Sequence, residues 1–275
     1  MIWTRRGRVI TYLAMTAGAV ILLFPYYWLT VMASNTTADI YAYPPRLTFG
    51  GHFLANIGQV FARIDFFGSL LNTLVVAVAT TLLVLLFDSL AAFTFAKFRF
   101  PGSSALFGLL LATFVVPTQL AAIPQFAIMA DLGWVGSLKA LVIPASANAF
   151  GIFWMRQYCR SALPDELLEA ARMDGCGFLR TYWNVAVPVL RPALAFLGIF
   201  TFVNSWNDYL WPLVVLIDSH HVTLQVALAQ LNGLYVKDYS VVMAGTLVAI
   251  VPLIVVFLFG ARHFIRNITA GALKG

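Results

Sequence analysis

Two amides, a carboxylate and an indole recur at helical spacing within one apolar stretch. The residues of this set are Asn204, Asn207, Asp208 and Trp211. Positions three and four apart lie on the same side of a helix, so the four side chains share one face. Amides and carboxylates hydrogen-bond to hydroxyls, and an indole face stacks on a sugar ring. The set therefore indicates a passage lined for a sugar-like solute.

The same four residues also have a structural explanation. Trp gathers at the membrane–water interface, and Asn and Asp cap or bridge helices. An Asp at the bilayer centre costs roughly 2.5–3.5 kcal/mol, so Asp208 should face protein or water under either interpretation. The sequence favours the structural role, and the solute-lining role stays as a hypothesis.

A second pattern lies in the charged segment 156–188. Pro164 suits the first turn of a helix, and Asp165 and Glu166 favour its positive N-terminal end. Gly175 can adopt the left-handed backbone that ends a helix, which predicts about eleven helical residues. Its apolar surface is expected from Leu167, Leu168, Ala171 and Met173. Because so short a helix is marginal alone in water, we expect it to dock on a partner.

Membrane-spanning helices must position both sets of residues. The 275-residue chain is 61% hydrophobic and 10% charged, whereas soluble domains carry about 25% charged residues. Its apolar runs are continuous rather than alternating, which favours helices over a barrel. The sequence predicts an all-α, polytopic transmembrane bundle that forms a single domain over 1–275. The six predicted spans are about 9–33, 67–95, 104–128, 137–155, 189–217 and 241–262.

The distribution of Lys and Arg predicts the topology. With the N-terminus placed in the cytoplasm, thirteen of these residues fall in inner segments and four in outer ones. The outer four are Arg46, Arg63, Lys139 and Lys237. This positive-inside asymmetry predicts cytoplasmic termini, with the 156–188 loop in the cytoplasm between spans four and five. It also explains the net charge of +6 without a nucleic-acid partner.

Three residues are unusual inside predicted spans. Pro117 and Pro124 each remove a backbone hydrogen bond from the third span. They predict a bend in this span, which either lines a pathway or serves only the packing of the helix against its neighbours. Asp88, in the second span, is expected to bridge to a neighbouring helix; an inner vestibule is the alternative.

Several stretches resemble one transporter family. Glu169-Ala170-Ala171, followed by Gly175 and then Pro188, resembles the EAA loop of ATP-binding-cassette (ABC) importer permeases. Further stretches resemble the six-span inner-membrane component of the maltose-type carbohydrate permeases over nearly the whole chain. These stretches are 72–77, 91–102, 206–212 and 269–275.

The resemblance implies a permease in a prokaryotic inner membrane that forms half of a pathway for a sugar or sugar-like solute. Oligosaccharides, amino sugars, polyols and glycerol phosphates are the implied cargo classes. The implied partners are a second homologous permease, two cytoplasmic ATPase subunits that bind ATP and Mg, and an extracytoplasmic solute-binding protein. The implied ATPase-coupling residues are Glu169, Ala170, Ala171, Asp174 and Gly175, with Glu169 pairing with a basic group of the ATPase.

Enzymatic motifs are absent from the sequence. It has no G-x-x-x-x-G-K-[ST], H-E-x-x-H or G-x-S-x-G motif, and Cys159 and Cys176 lack metal-ligand spacing. We therefore expect no catalytic residue, metal site or cofactor in this chain. An ion-coupled secondary transporter and a membrane-embedded enzyme remain as alternatives. The first would usually show intramembrane ion relays and an inverted repeat.

Overall fold

The chain folds into helices joined by turns. The computed structural model describes residues 5–217, 221–233 and 238–272, and these residues contain no strand, which confirms the all-α prediction. His220, Lys237 and residues 273–275 of the predicted tail motif lie outside the described residues. The helices are α1 (Arg5–Ser34), α2 (Thr37–Ile40), α3 (Phe53–Arg63), α4 (Phe66–Lys97), α5 (Ser103–Val115), α6 (Ala122–Asp131), α7 (Lys139–Val142), α8 (Ala149–Ala162), α9 (Asp165–Met173), α10 (Phe178–Thr181), α11 (Val187–Asn207), α12 (Leu210–Val215), α13 (Leu224–Gln230) and α14 (Tyr239–Ala272).

Several helices are long and apolar enough to cross a membrane. Four are continuous, namely Gly7–Ser34, Phe66–Lys97, Phe178–Asn207 and Tyr239–Leu258. They correspond to the first, second, fifth and sixth predicted spans. The third predicted span is a pair of helices bent by 91°, which counts as a fifth crossing if the pair is taken as one span.

The third predicted span bends at the proline that marked it. Helix α5 ends at Val115, and Val116 is extended with ψ 120°, as expected for the residue before a proline. Pro117 opens a short 3₁₀ turn, Thr118–Ala121, that leads into α6. Pro124 lies in the first turn of α6, where its missing N–H costs no helical hydrogen bond. Pro117 therefore causes the break, and Pro124 is accommodated.

The fourth predicted span is not a continuous helix over 137–155. Only the four-residue α7 and the 14-residue α8 are helical there. Asn148 caps α8 by accepting a hydrogen bond from the Gly151 N–H at 2.8 Å. At 1.5 Å per residue α8 is about 21 Å long, shorter than the hydrocarbon layer of about 30 Å. Pro144, between the two helices, supplies no backbone donor to continue the first.

The fifth span begins earlier than predicted. Helix α10, a π-helical turn (Tyr182–Ala186) and α11 form one continuous helix, Phe178–Asn207. Because Pro188 cannot donate to the carbonyl one turn back, the preceding turn widens, and the Val187 N–H bonds to the Tyr182 carbonyl. The helix therefore runs directly out of the segment predicted to dock on a partner.

The chain divides into two compact units by contacts between Cα atoms. One comprises Met1–Phe66 and Ala227–Pro252, and the other comprises Phe67–Val226 and Leu253–Gly275. In the first unit, the Asn56 amide donates to the carbonyls of Ala33 and Asn35 at 2.9 and 3.0 Å. These bonds satisfy carbonyls that the C-terminus of α1 would otherwise leave free. A single domain over 1–275 stays a prediction.

Asp238 ties three helices of the first unit together. Its carboxylate accepts hydrogen bonds from Thr37 and Ser240, both at 2.7 Å, and pairs with Arg63 at 3.2 Å. Burial alone would raise the pKa of Asp238, but hydrogen bonds from Ser240 and Thr37 outweigh it, and the pKa lies below its ordinary value. The start of α14 is thereby tied to α2 and α3.

Candidate functional site: a short surface helix and a polar cavity

Helix α9 ends in the geometry that its sequence predicts, although it is nine residues long and not about eleven. Pro164 occupies the cap position, and Asp165 and Glu166 lie in the first turn. Gly175 adopts a φ of +74°, where a residue with a Cβ would be strained. The Cys176 N–H bonds to the Ala171 carbonyl and the Gly175 N–H to the Arg172 carbonyl, at 2.9 and 3.0 Å. These two bonds form a Schellman motif, which closes the helix.

One ion pair joins α9 to the end of α4. The Lys97 ammonium lies 2.7 Å from the Asp165 carboxylate, and the Lys97 side chain is 7% exposed while that of Asp165 is 76% exposed. The hydrogen bond from Lys97 and its positive charge lower the pKa of the Asp165 carboxyl. The pair fixes the start of α9 against a long helix.

An aromatic cluster continues this connection beneath α9. The Phe93 ring lies 5.3 Å from Phe98, 5.6 Å from Phe178 and 5.8 Å from Tyr182, measured between centroids. The Tyr182 and Ser89 hydroxyls are hydrogen-bonded at 2.7 Å. The rings come from α4, the segment after it and the start of the fifth long helix, so these three parts form one packed body.

Helix α9 divides its predicted apolar surface between two sides. Leu168 and Ala171 are buried, whereas Leu167 and Met173 are exposed. Leu168 packs in a cluster of buried residues with Leu163 and Tyr182. The apolar surface that α9 can offer to a partner is therefore narrower than predicted, because only Leu167 and Met173 of the four remain exposed.

The five predicted coupling residues divide between the two sides of α9. Glu169, Ala170, Asp174 and Gly175 are exposed, and Ala171 faces inward. Within the described part of the chain the Glu169 carboxylate has no hydrogen bond or ion pair. No atom outside its immediate chain neighbours lies within 4 Å of a Cβ built on Gly175. The exposed four therefore form a surface with room for a partner.

A cavity of about 590 Å³ lies in the second unit. Its wall is built from α4, the bend between α5 and α6, the segment between α7 and α8, α11 and α12. Two of these contributions come from irregular backbone, which is tolerated at membrane depth where it lines a cavity. Gln119 of the proline-marked bend and Gln125 of α6 both line the wall, so the bend contributes to this cavity. That the bend lines a solute pathway stays a prediction.

Three of the four predicted pathway residues line this cavity. They are Asn204, Asp208 and Trp211. Asn207 does not: its amide donates to the Val203 carbonyl at 2.8 Å. Helix α11 ends at Asn207, so the helical spacing that grouped the four residues does not continue through Asp208.

Trp211 has a packing role in addition to lining the cavity. Its indole N–H donates to the Ala140 carbonyl at 2.9 Å, which ties α12 to α7. Asp208 lies between the end of α11 and the start of α12. For Trp211, packing and cavity lining are therefore not alternatives, because one side chain has both roles. The role of these residues in solute passage stays a prediction.

Most of the polar lining was missed by the sequence analysis. The missed amides are Gln119, Gln125 and Asn148. The hydroxyls are Thr73, Thr80, Thr201, Ser205 and Thr223. Single Thr and Ser residues in apolar helices carry no periodic signal, because their hydroxyls can bond to their own helix. Only the fold shows that they converge.

Asp88 forms the expected bridge between helices. It is fully buried and accepts hydrogen bonds from the backbone N–H and the side-chain amide of Asn148, both at 3.1 Å. A Cβ at Gly151 would lie 1.9 Å from its carboxylate oxygen. Asp88 thus joins α4 to the cap of α8, and glycine at 151 makes the approach possible.

A family comparison identifies the scaffold that carries this helix and cavity. Residues 89–269 match the family described as binding-protein-dependent transport system inner membrane component. The chain belongs to this family. Its members are ABC importer permeases, non-catalytic subunits of the transport complex, so this permease is an inner-membrane protein that works with an ATPase and a solute-binding protein. Membership in this family excludes the two alternatives left open by the sequence, an ion-coupled secondary transporter and a membrane-embedded enzyme.

Named relatives cover nearly the whole permease. It is 32% identical to the lactose transport system permease protein LacG of Rhizobium radiobacter over 100% of both chains. It is 31% identical to the arabinooligosaccharides transport system permease protein AraQ of Bacillus subtilis strain 168, over 94% of this chain and 92% of that one. It is also 31% identical to the sn-glycerol-3-phosphate transport system permease protein UgpE of Yersinia pestis bv. Antiqua, over 98% of each chain.

A solved structure shares the permease fold. A chain of a bacterial ABC transporter involved in the import of the acidic polysaccharide alginate superposes with a TM-score of 0.80 and 26% identity. The match covers 96% of this permease and 99% of that chain. The resemblance to carbohydrate-uptake importer permeases is therefore confirmed.

Proposed function

We propose that this permease forms half of the passage through which an ABC importer carries a sugar or sugar-like solute. The observation that carries the proposal is the polar cavity, lined by amides, hydroxyls, one carboxylate and an indole. Such groups hydrogen-bond to sugar hydroxyls, and the aromatic rings of Phe200 and Trp211 offer apolar faces to a sugar ring. The relatives named for lactose, arabinooligosaccharides and glycerol 3-phosphate support the same class.

Energy enters this passage through α9. Its exposed residues Glu169, Ala170, Asp174 and Gly175 dock in a cleft of the ATPase, and Glu169 pairs with a basic group there. Ala170 and Ala171 were both implied as coupling residues, but only Ala170 faces outward. Leu167 and Met173 add exposed apolar contact area beside it.

One continuous helix connects the docking surface with the cavity. It starts at Phe178, in the aromatic cluster beneath α9, and reaches Phe200, Thr201 and Asn204 on the cavity wall. From Phe178 to Asn204 it extends about 40 Å at 1.5 Å per residue. A displacement of α9 by the ATPase therefore moves part of the cavity wall, so both sites bias one physical element, as coupling requires.

The complete assembly contains two such permeases, two ATPase subunits that bind ATP and Mg, and an extracytoplasmic solute-binding protein. The chain crosses the membrane six times as a single domain, with both termini and the α9 loop in the cytoplasm. The positive-inside distribution of Lys and Arg supports this orientation. The broken third span and the short α8 count as two of the crossings, completed by irregular segments that line the cavity.

Uptake by the reconstituted complex tests the proposed cargo. Proteoliposomes that contain both permeases and the ATPases are supplied with the binding protein, ATP and a panel of labelled di- and oligosaccharides, amino sugars, polyols and glycerol phosphates. We expect ATP-dependent accumulation of at least one panel member. Uptake of none of them, by a complex that still hydrolyses ATP, would contradict a sugar-like cargo.

A further inference from the structure

The described lining of the polar cavity contains a negatively charged group and no positively charged one. Of its described lining residues, Asp208 alone is ionisable, and none is Lys, Arg or His. The neighbouring cation on α7, Lys139, is not part of the wall. The cavity of this permease therefore offers negative charge and neutral dipoles, with no cation in the described wall to balance an anion.

The Asp208 carboxylate stands where two helices meet on the cavity wall. It follows Asn207, the last residue of α11, and precedes α12, which begins at Leu210. The residue as a whole is exposed and lines the cavity. The charge of its carboxylate therefore acts on whatever occupies the cavity.

The rest of the wall suits uncharged hydroxyl-bearing groups. Thr80 and Thr223 are buried, and their hydroxyls have no hydrogen-bond partner within the described part of the chain. Buried hydroxyls without a partner are costly, and a polar solute or water in the cavity would relieve that cost. The Asn204 amide, exposed in the last turn of α11, adds a neutral donor and acceptor.

We infer that this cavity accepts neutral and cationic sugars and discriminates against anionic ones, with Asp208 as the residue that sets the charge preference. The inference rests on the proposed function and narrows its cargo to a neutral sugar or an amino sugar. Discrimination by like-charge repulsion is a form of specificity that needs no additional attractive contact.

Direct binding to the permease–ATPase complex, without the solute-binding protein, tests this inference. The probes are the neutral, amino and uronic-acid forms of the sugar that the complex imports. If the complex imports no sugar, the probes are glycerol and glycerol 3-phosphate. We expect the uncharged and cationic probes to bind at least about tenfold more tightly than the anionic one. In Asp208→Asn, which removes the charge and keeps the size of the side chain, the ratio of the two affinities should fall about tenfold.

Asp131→Asn provides the matched control. Asp131 is an exposed carboxylate at the end of α6 and does not line the cavity, so the same chemical change there should leave the affinity ratio unaltered. Tighter binding of the anionic probe by the wild-type complex, or an unchanged ratio in Asp208→Asn, overturns the charge preference. Neither result contradicts the proposal that the permease belongs to a sugar importer. Absence of ATP-dependent uptake of every panel solute overturns the proposed function itself.

Discussion

Replacing Gly151 with alanine is expected to destabilise the permease severely, by about 3 kcal/mol or more. The new Cβ would lie 1.9 Å from the Asp88 carboxylate oxygen and 3.3 Å from Leu197. The carboxylate must move, which breaks its two hydrogen bonds to Asn148, and Asp88 is fully buried with no access to water. Thermal unfolding and the yield of monodisperse protein in detergent measure the effect.

The double variant Asp88→Ala/Gly151→Ala shows whether the contact with Asp88 is the cause. Without the carboxylate the nearest atom to the Cβ at 151 is in the Leu197 side chain, at 3.3 Å, so we expect the double variant to be more stable than Gly151→Ala alone. Gly108→Ala is the control, because Gly108 lies in α5 with no atom near a built Cβ. It should not destabilise the chain, since alanine favours helices. Equal stability of Gly151→Ala and Gly108→Ala would refute the tight approach.

Replacing Ala170 with tryptophan is expected to release the ATPase from an otherwise folded permease. Ala170 is exposed on α9, so a large side chain there meets nothing in its own chain. In a closely packed interface the same side chain costs about 1–3 kcal/mol, which weakens association roughly ten- to a hundredfold. Co-purification of the ATPase with tagged permease measures the loss.

Two further substitutions separate docking from folding. Ala170→Ser keeps a small side chain and should retain the ATPase. A bulky residue at the neighbouring Ala171 should instead lower stability, because that side chain faces the cluster around Leu168. If Ala170→Trp binds the ATPase with wild-type affinity, the docking surface does not lie on α9.

Local signals made α9 predictable from the sequence. Pro164, the two acidic residues after it and Gly175 act within a few residues of one another, and the cap geometry that they imply is the one observed. The buried stripe was less predictable. Leu167 and Met173 are as apolar as Leu168, and only the position of the aromatic cluster beneath the helix decides which side is covered.

The course of the third and fourth spans was only partly predictable. Hydropathy measures whether a segment can lie in lipid but says little about whether its helix is continuous. Pro117 identified the first break, because a proline acts locally. The irregular segment before Asn148 is stabilised from outside by Asp88, 60 residues away in the sequence, and such a contact leaves no local pattern.

The cavity shows the same limit. Asn204, Asp208 and Trp211 were found because they cluster within one stretch. Gln119, Thr80 and the other lining groups lie on separate helices, and each of them alone resembles an ordinary polar residue in a span. Their convergence is a property of the tertiary fold, so a helix-by-helix analysis could not find it.

ATP hydrolysis by the complete complex in proteoliposomes tests the central claim most directly. The complex contains this permease, its partner permease, the ATPases and the binding protein, and hydrolysis is measured with and without the imported solute. We predict that solute and binding protein together stimulate hydrolysis in the wild type and in Ala170→Ser, and that Ala170→Trp loses this stimulation. Stimulated hydrolysis and uptake at wild-type rates in Ala170→Trp would contradict coupling through α9.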